Sequence, residues 1–197
     1  MEIHDLLKNN LQKYVSLSEP DSERLCSKLI VRQLKRKELF CREGQVCKSV
    51  AFVNKGCLRY FYLNGGEEQT GQFFFENGWY TDYESFLTGY PSKQNIQALE
   101  PTELLLLFKK DLYELYESIP AFERFGRVMA ENAYLGSRKN NVALLTLSPE
   151  KRYLQLIAER PKLIERIPLK YIASYLGIKP ESLSRIRKRL FDSRQNS

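Results

Sequence analysis

The chain has 197 residues, of which 43% are hydrophobic and 28% charged, and a formal net charge of +7. This balance excludes a disordered or fibrous protein and allows one or two domains with a real core. No apolar run approaches the roughly eighteen residues of a membrane span, and Met1-Glu2-Ile3-His4-Asp5 begins no export signal, so a cytoplasmic protein without a membrane partner is expected.

In chain order, residues 1–28 read as helical, with Leu6, Leu7, Leu11 and Tyr14 at helical spacing. Ser18-Glu19-Pro20-Asp21 breaks the pattern, and a second helix is predicted from about Asp21 to Lys28. From Ile30 the period changes to two. Short strands are predicted at Ile30–Leu34, Ser49–Val53, Leu58–Leu63, Gln69–Phe75, Asn95–Leu99 and Leu104–Phe108, separated by turn residues. Asn64-Gly65-Gly66 between two strong strands is the clearest hairpin. Many short strands at this spacing suggest an antiparallel barrel or roll.

Helical pattern returns at Lys109–Glu117, breaks at Pro120, and resumes from Pro120 to Leu147, about 40 Å at ~1.5 Å per residue. A helix that long outreaches a small barrel, so part of its apolar stripe is expected to meet a second copy of the chain. Ser148-Pro149 reads as an N-cap followed by proline at the first helical position. The expected organisation is α+β: a sensor β-roll with N-terminal helices over 1–119, a dimerisation helix over 120–147, and an all-α domain over 148–197.

The basic excess lies in that last segment. Residues 148–197 hold twelve Lys/Arg and five Asp/Glu, a net +7, whereas residues 1–147 are neutral. A neutral body with a basic end is the electrostatic layout of a nucleic-acid-binding head. Within it, Pro168–Leu190 reads as two short helices turning at Gly177. Ile172, Leu176, Ile178, Leu183 and Ile186 form an apolar set that can bury them, and Glu181, Ser182, Ser184, Arg185, Lys188 and Arg189 face outward. This is the layout of a helix-turn-helix, whose second helix enters the major groove of duplex DNA. Arg185 suits a guanine edge, which a guanidinium can grip bidentately. Arg187, Lys188 and Arg189 suit phosphates, which fix position without reading sequence.

Four motifs carry a resemblance to the Crp/Fnr superfamily of bacterial transcription regulators over nearly the full chain. They are Leu39-Phe40-Cys41-Arg42-Glu43-Gly44, Val53-Asn54-Lys55-Gly56-Cys57-Leu58-Arg59, Ile172-Ala173-Ser174-Tyr175-Leu176-Gly177 and Glu181-Ser182-Leu183-Ser184-Arg185-Ile186. The resemblance implies a cyclic-nucleotide-binding-type roll, a dimerisation helix, a DNA-binding head and RNA polymerase among the partners. It places the base-reading positions on Pro180, Glu181 and Arg185. Relatives follow the recognition helix with a β-hairpin wing, which the seven residues from Phe191 cannot build.

In relatives that bind cyclic AMP, a Gly-Glu pair caps the ribose and an Arg-Ser or Arg-Thr pair grips the phosphate. Here Asp82-Tyr83, followed by Glu84, stands at the first site and Ser92-Lys93 at the second, while Ser137 and Arg138 fall where the long helix touches the base. Lys93 does not replace a bidentate guanidinium, so cyclic AMP is not the expected effector and no cofactor is expected. Two readings of the pocket stay open. Arg59, Lys93 and Arg138 could hold an anion while Trp79, Tyr80, Tyr83 and Phe86 line an apolar cavity, or the barrel is simply filled.

Four cysteines (Cys26, Cys41, Cys47 and Cys57) are too few for a disulfide framework and match no metal spacing, and His4 is the single histidine. No Ser/His/Asp or Cys/His set can form in the barrel, so an enzyme is not expected. The alternative to a regulator is a small-molecule-binding module with a vestigial DNA-binding domain.

Overall fold

The structure, a computed structural model, describes residues 3–195, with only the backbone described at 162 and 193–195. The chain divides into two compact units: Met1–Phe61 with Phe73–Tyr134, and Tyr62–Gln72 with Leu135–Ser197.

The first unit begins with α1 (Asp5–Leu11) and α2 (Glu19–Ser27). Ser18 caps α2, its Oγ accepting from the Asp21 N–H at 3.2 Å, and Pro20 lies in the first turn. This is why the helix starts two residues before the position predicted from periodicity. The strands are β1 (Ile30–Leu34), β2 (Leu39–Cys41), β3 (Ser49–Lys55), β4 (Cys57–Asn64), β5 (Glu67–Phe75), β6 (Trp79–Tyr80), β7 (Asn95–Ala98) and β8 (Thr102–Phe108). α3 (Tyr83–Thr88) separates β6 from β7, and α4 (Lys109–Ser118) follows β8. Two four-stranded sheets result, with orders β1-β8-β3-β6 and β2-β7-β4-β5. β4 and β5 join through the two-residue turn Gly65-Gly66, as the sequence predicts.

All six predicted strands are present. β2 and β6 were not predicted as strands from the pattern, because three and two residues are too short to show a period. They exist through pairing: Leu39 with Gln97 and Cys41 with Ile96 in β2, Trp79 with Phe52 and Tyr80 with Ala51 in β6.

The run Leu104–Leu107 is apolar without interruption because β8 is buried on both faces. Leu104 and Leu106 point between the sheets with Ala51, Val53, Leu58 and Ile96. Leu105 and Leu107 point the other way, onto Leu7, Leu25, Phe52, Leu115, Phe122 and Phe125. Alternation along a strand thus builds two cores, one inside the roll and one between a sheet and the helices. Each fully buried leucine contributes about 2 kcal/mol of transfer free energy.

α5 (Pro120–Thr146) is one continuous helix that buries only Phe122 and Phe125. Leu135, Val142 and Leu145 are exposed along its later turns, Leu145 at 87%. In the second unit, α6 (Pro149–Glu159) starts at Ser148, whose Oγ accepts from the Lys151 N–H at 3.3 Å. α7 (Pro161–Arg166), not anticipated from the sequence, opens on a second proline. α8 (Leu169–Tyr175) and α9 (Pro180–Gln195) follow. Ile172, Leu176, Leu183 and Ile186 are buried and Ile178 is half-buried, as their spacing predicts. No helix among the described residues is long and apolar enough to cross a membrane.

Candidate functional site

The turn between α8 and α9 is built by backbone chemistry. The Gly177 N–H donates to Ser174 O and the Ile178 N–H to Ala173 O, both at 3.0 Å. These two bonds close a helix end that needs a left-handed residue, and Gly177 supplies it at φ +66°. Arg152, on α6, fixes the same corner from outside, donating to Leu176 O and Leu147 O at 2.6 Å each. Nothing in the sequence marked this arginine, because its partners are backbone carbonyls of other helices.

Leu183 and Ile186 bury one side of α9, so the opposite side is free. Glu181, Ser184, Arg185, Arg187, Lys188 and Arg189 are exposed, and Ser182 is half-buried. At about 100° per residue, Glu181, Arg185 and Lys188 share the outermost strip, with Ser184 and Arg189 flanking it. Arg187 turns away from that strip toward the side. Arg189 reaches across to Glu150 at 2.9 Å. Arg185 Nε donates to Glu181 O at 3.4 Å, and the Ser184 hydroxyl to Pro180 O at 3.1 Å. An open groove of about 660 Å³ runs beside this face, with Arg185, Lys188 and Arg189 among its walls.

The hairpin tip belongs to the same unit. The Ser174 hydroxyl donates to Glu68 O at 2.7 Å and accepts from the Thr70 N–H at 2.9 Å. Arg160 donates to Gln72 Oε1 at 2.6 Å. The first helix of the helix-turn-helix is therefore tied to the β4–β5 turn. This link spans more than a hundred residues, and no local sequence signal announces it.

In the first unit, the predicted pocket residues divide into separate groups. Asp82 caps α3, its carboxylate accepting from the Ser85 N–H at 3.4 Å and from the Ser92 hydroxyl at 2.6 Å. Both Asp82 and Ser92 are buried. Glu84 and Lys93 pair at 2.6 Å on the exposed surface. Arg59 is wholly buried, donates to Gln97 Oε1 at 2.8 Å, and lies 4.2 Å over the Phe61 ring. Ser137 and Arg138 are exposed on the part of α5 that belongs to the second unit. The segment that the family resemblance assigns to the cyclic phosphate thus presents a buried carboxylate bonded to Ser92.

Cys41, Cys47 and Cys57 are buried and Cys26 is half-buried, all as free thiols. A hydrogen bond from Cys41 favours the Cys47 thiolate, with Thr81 Oγ1 3.4 Å from its sulfur, and so lowers the Cys47 pKa against the effect of burial. The same bond and burial push Cys41 up. Among the described residues no cluster of three potential metal ligands forms.

The aromatic residues do meet. Trp79, Tyr80, Tyr83 and Phe86 line a cavity of about 220 Å³ between the β3–β6 face, α3, α4 and α5. Burial pushes the Tyr83 phenol up, and raises Tyr116, another lining residue, to about 12.

Residues 31–118 match the family model of the cyclic nucleotide-binding domain. No curated protein matches the chain in sequence. Among solved structures, the chain is similar to FixK2 from Bradyrhizobium japonicum at 17% identity, covering 84% of this chain and 85% of that one, with a TM-score of 0.74. It is also similar to CLP, the c-di-GMP-responsive global regulator of Xanthomonas campestris, at 15% identity, 89% and 93% coverage and a TM-score of 0.72. A putative transcriptional regulator of the Crp/Fnr family from Eubacterium rectale gives 16% identity, 90% and 85% coverage and a TM-score of 0.69. The chain contains a cyclic nucleotide-binding-type domain. The fold of the chain is similar to those of these regulators over most of its length.

Proposed function

We propose that this protein is a cytoplasmic, dimeric, sequence-specific DNA-binding transcription regulator of the Crp/Fnr type that does not respond to cyclic AMP. The observation that carries the reading is α9, packed through Leu183 and Ile186 with Glu181, Arg185 and Lys188 left clear on one strip. A helix held this way by a preceding helix and a glycine turn fits the major groove. The chain's whole basic excess lies in the same C-terminal quarter and supplies the phosphate attraction. Leu135, Val142 and Leu145 on α5, separated by seven and three residues, support pairing with a second copy through a coiled-coil-like seam. The Asp82–Ser92 bond supports the loss of cyclic nucleotide binding, since a buried carboxylate repels a phosphodiester.

The test is selection of bound sequences from a random duplex library. A dimer of this kind selects a pseudo-palindrome with half-sites about 34 Å apart. Enrichment of no sequence over random DNA would instead favour a small-molecule-binding module with a vestigial head. Arg185→Ala should relax the preference at one base pair, at a cost of about 1–3 kcal/mol. Lys188→Ala should weaken every duplex alike and reduce the slope of log affinity against log salt by about one. Titration by fluorescence anisotropy at several salt concentrations separates the two effects, and an unchanged preference in Arg185→Ala refutes its base-reading role.

A further inference from the structure

The cavity lies between the β3–β6 face and helices α3 to α5, and of the positions that the resemblance assigns to a nucleotide only Tyr83 lines it. Its walls are Trp79, Phe86, Phe122, Phe125, Met129 and several tyrosines, and none of its lining residues is charged. An apolar cavity of about 150 Å³ holds benzene, so 220 Å³ holds one substituted ring or two fused ones. The exposed rim residues Leu87 (55%) and Tyr113 (44%) mark an opening to solvent.

The polar atoms of this cavity fall into two groups. Trp79 Nε1 donates to Asn10 Oδ1 at 3.0 Å, and Thr81 Oγ1 to Ser49 O at 2.9 Å, so both are committed to the fold. The Tyr83, Tyr113 and Tyr116 hydroxyls make no hydrogen bond to any described residue. Tyr116 is the least exposed of the three to solvent, and Gly126 makes room for it: a Cβ at 126 would fall on the Tyr116 hydroxyl. A half-buried phenol with no hydrogen-bond partner among the described residues, placed in an uncharged aromatic cavity, leaves a hydrogen bond for a guest.

We infer that this cavity is a binding site for a neutral aromatic molecule of one or two rings bearing one hydrogen-bonding group, which Tyr116 engages. As an effector site it rests on the regulator reading above. As a binding site it does not, and a binding assay without DNA keeps the two separable.

Trp79 is the single tryptophan and lines the cavity, so its emission reports occupancy directly. The full chain is titrated with 4-ethylphenol, with its hydroxyl-free counterpart ethylbenzene, and with 4-hydroxybenzoate, by calorimetry and Trp79 fluorescence. The expected result is saturable binding of 4-ethylphenol with a Trp79 spectral change, ethylbenzene weaker by roughly tenfold, and no binding of the carboxylate. Tyr116→Phe should reduce 4-ethylphenol to the ethylbenzene level. Val50→Phe should fill the cavity and abolish binding; Ala130→Phe, introduced from the exposed rim, is the second filling variant should Val50→Phe not fold. Absence of heat and of any Trp79 change, or undiminished binding in a folded filling variant, overturns the inference.

Discussion

The two places where the family resemblance predicts ligand contacts present different chemistry. On α9 Gly177 turns the chain, Leu183 and Ile186 bury one side, and Glu181, Arg185 and Lys188 stand exposed on the other. In the first unit, where the resemblance places the grip on a cyclic phosphate, Asp82 and Ser92 are buried and hydrogen-bonded to each other at 2.6 Å. A fold is kept by backbone geometry and packing, and a site is kept by a few side chains, so the two can part company in one chain.

The contrast can be broken or sharpened experimentally. The largest effect is expected in the framework. Gly56 has φ +94°, and a Cβ there would come within 2.8 Å of Pro101 and Thr102 backbone atoms. Gly56→Val should cost about 3 kcal/mol or more in thermal unfolding, and a near-neutral effect would show that the roll tolerates a change in its frame. Asp82→Ala removes the α3 cap and the Ser92 partner together, and should cost about 2–3 kcal/mol. Calorimetry should detect no cyclic AMP binding to either the natural chain or this variant; binding by the variant would show that a single carboxylate closes the site.

Smaller effects are expected from the remaining two tests. Ser174→Ala loses both bonds to the hairpin tip and should cost about 1–2 kcal/mol, read as faster hydrogen exchange at the Thr70 amide. Unchanged Thr70 exchange would mean that the β4–β5 turn is held by other contacts. The least effect concerns alkaline pH. Tyr116 titrates at about 12 in the folded chain against an ordinary 10, because burial disfavours the phenolate. The folded state therefore binds more protons above pH 10. Its stability is complete below that pH and falls as pH rises toward 12. Tyr116→Phe should lessen this fall in pH-dependent unfolding, leaving the smaller part contributed by Tyr83 and Tyr175, which burial also raises.

Much of the fold was legible where one residue's own chemistry dictates the backbone. Ser148-Pro149 starts a helix, Asn64-Gly65-Gly66 reverses a strand, and Gly177 ends α8, all as read from the chain. The outward face of α9 was legible for the same reason, since helical period alone opposes Glu181 and Arg185 to Leu183 and Ile186. α7 was missed although Pro161 is a fair start signal, because six residues give too little periodicity to weigh. The aromatic cavity is legible only in part: Trp79, Tyr80, Tyr83 and Phe86 form a set in the sequence, but Tyr116, Phe122 and Phe125 reach it from helices further along the chain.

By itself, then, the sequence determined the longer helices and strands, the basic excess of the last fifty residues and the outward face of α9, because these depend on local dihedral preference, period and charge. Only the tertiary structure decided which polar groups would satisfy one another. It buried Arg59 beside Gln97 and Phe61, closed Asp82 on Ser92, aimed Arg152 at the end of α8, and joined Ser174 to the hairpin tip. Each of these depends on which donors and acceptors the packed chain brings within about 3 Å in a setting poor in water, and sequence distance carries no information about that.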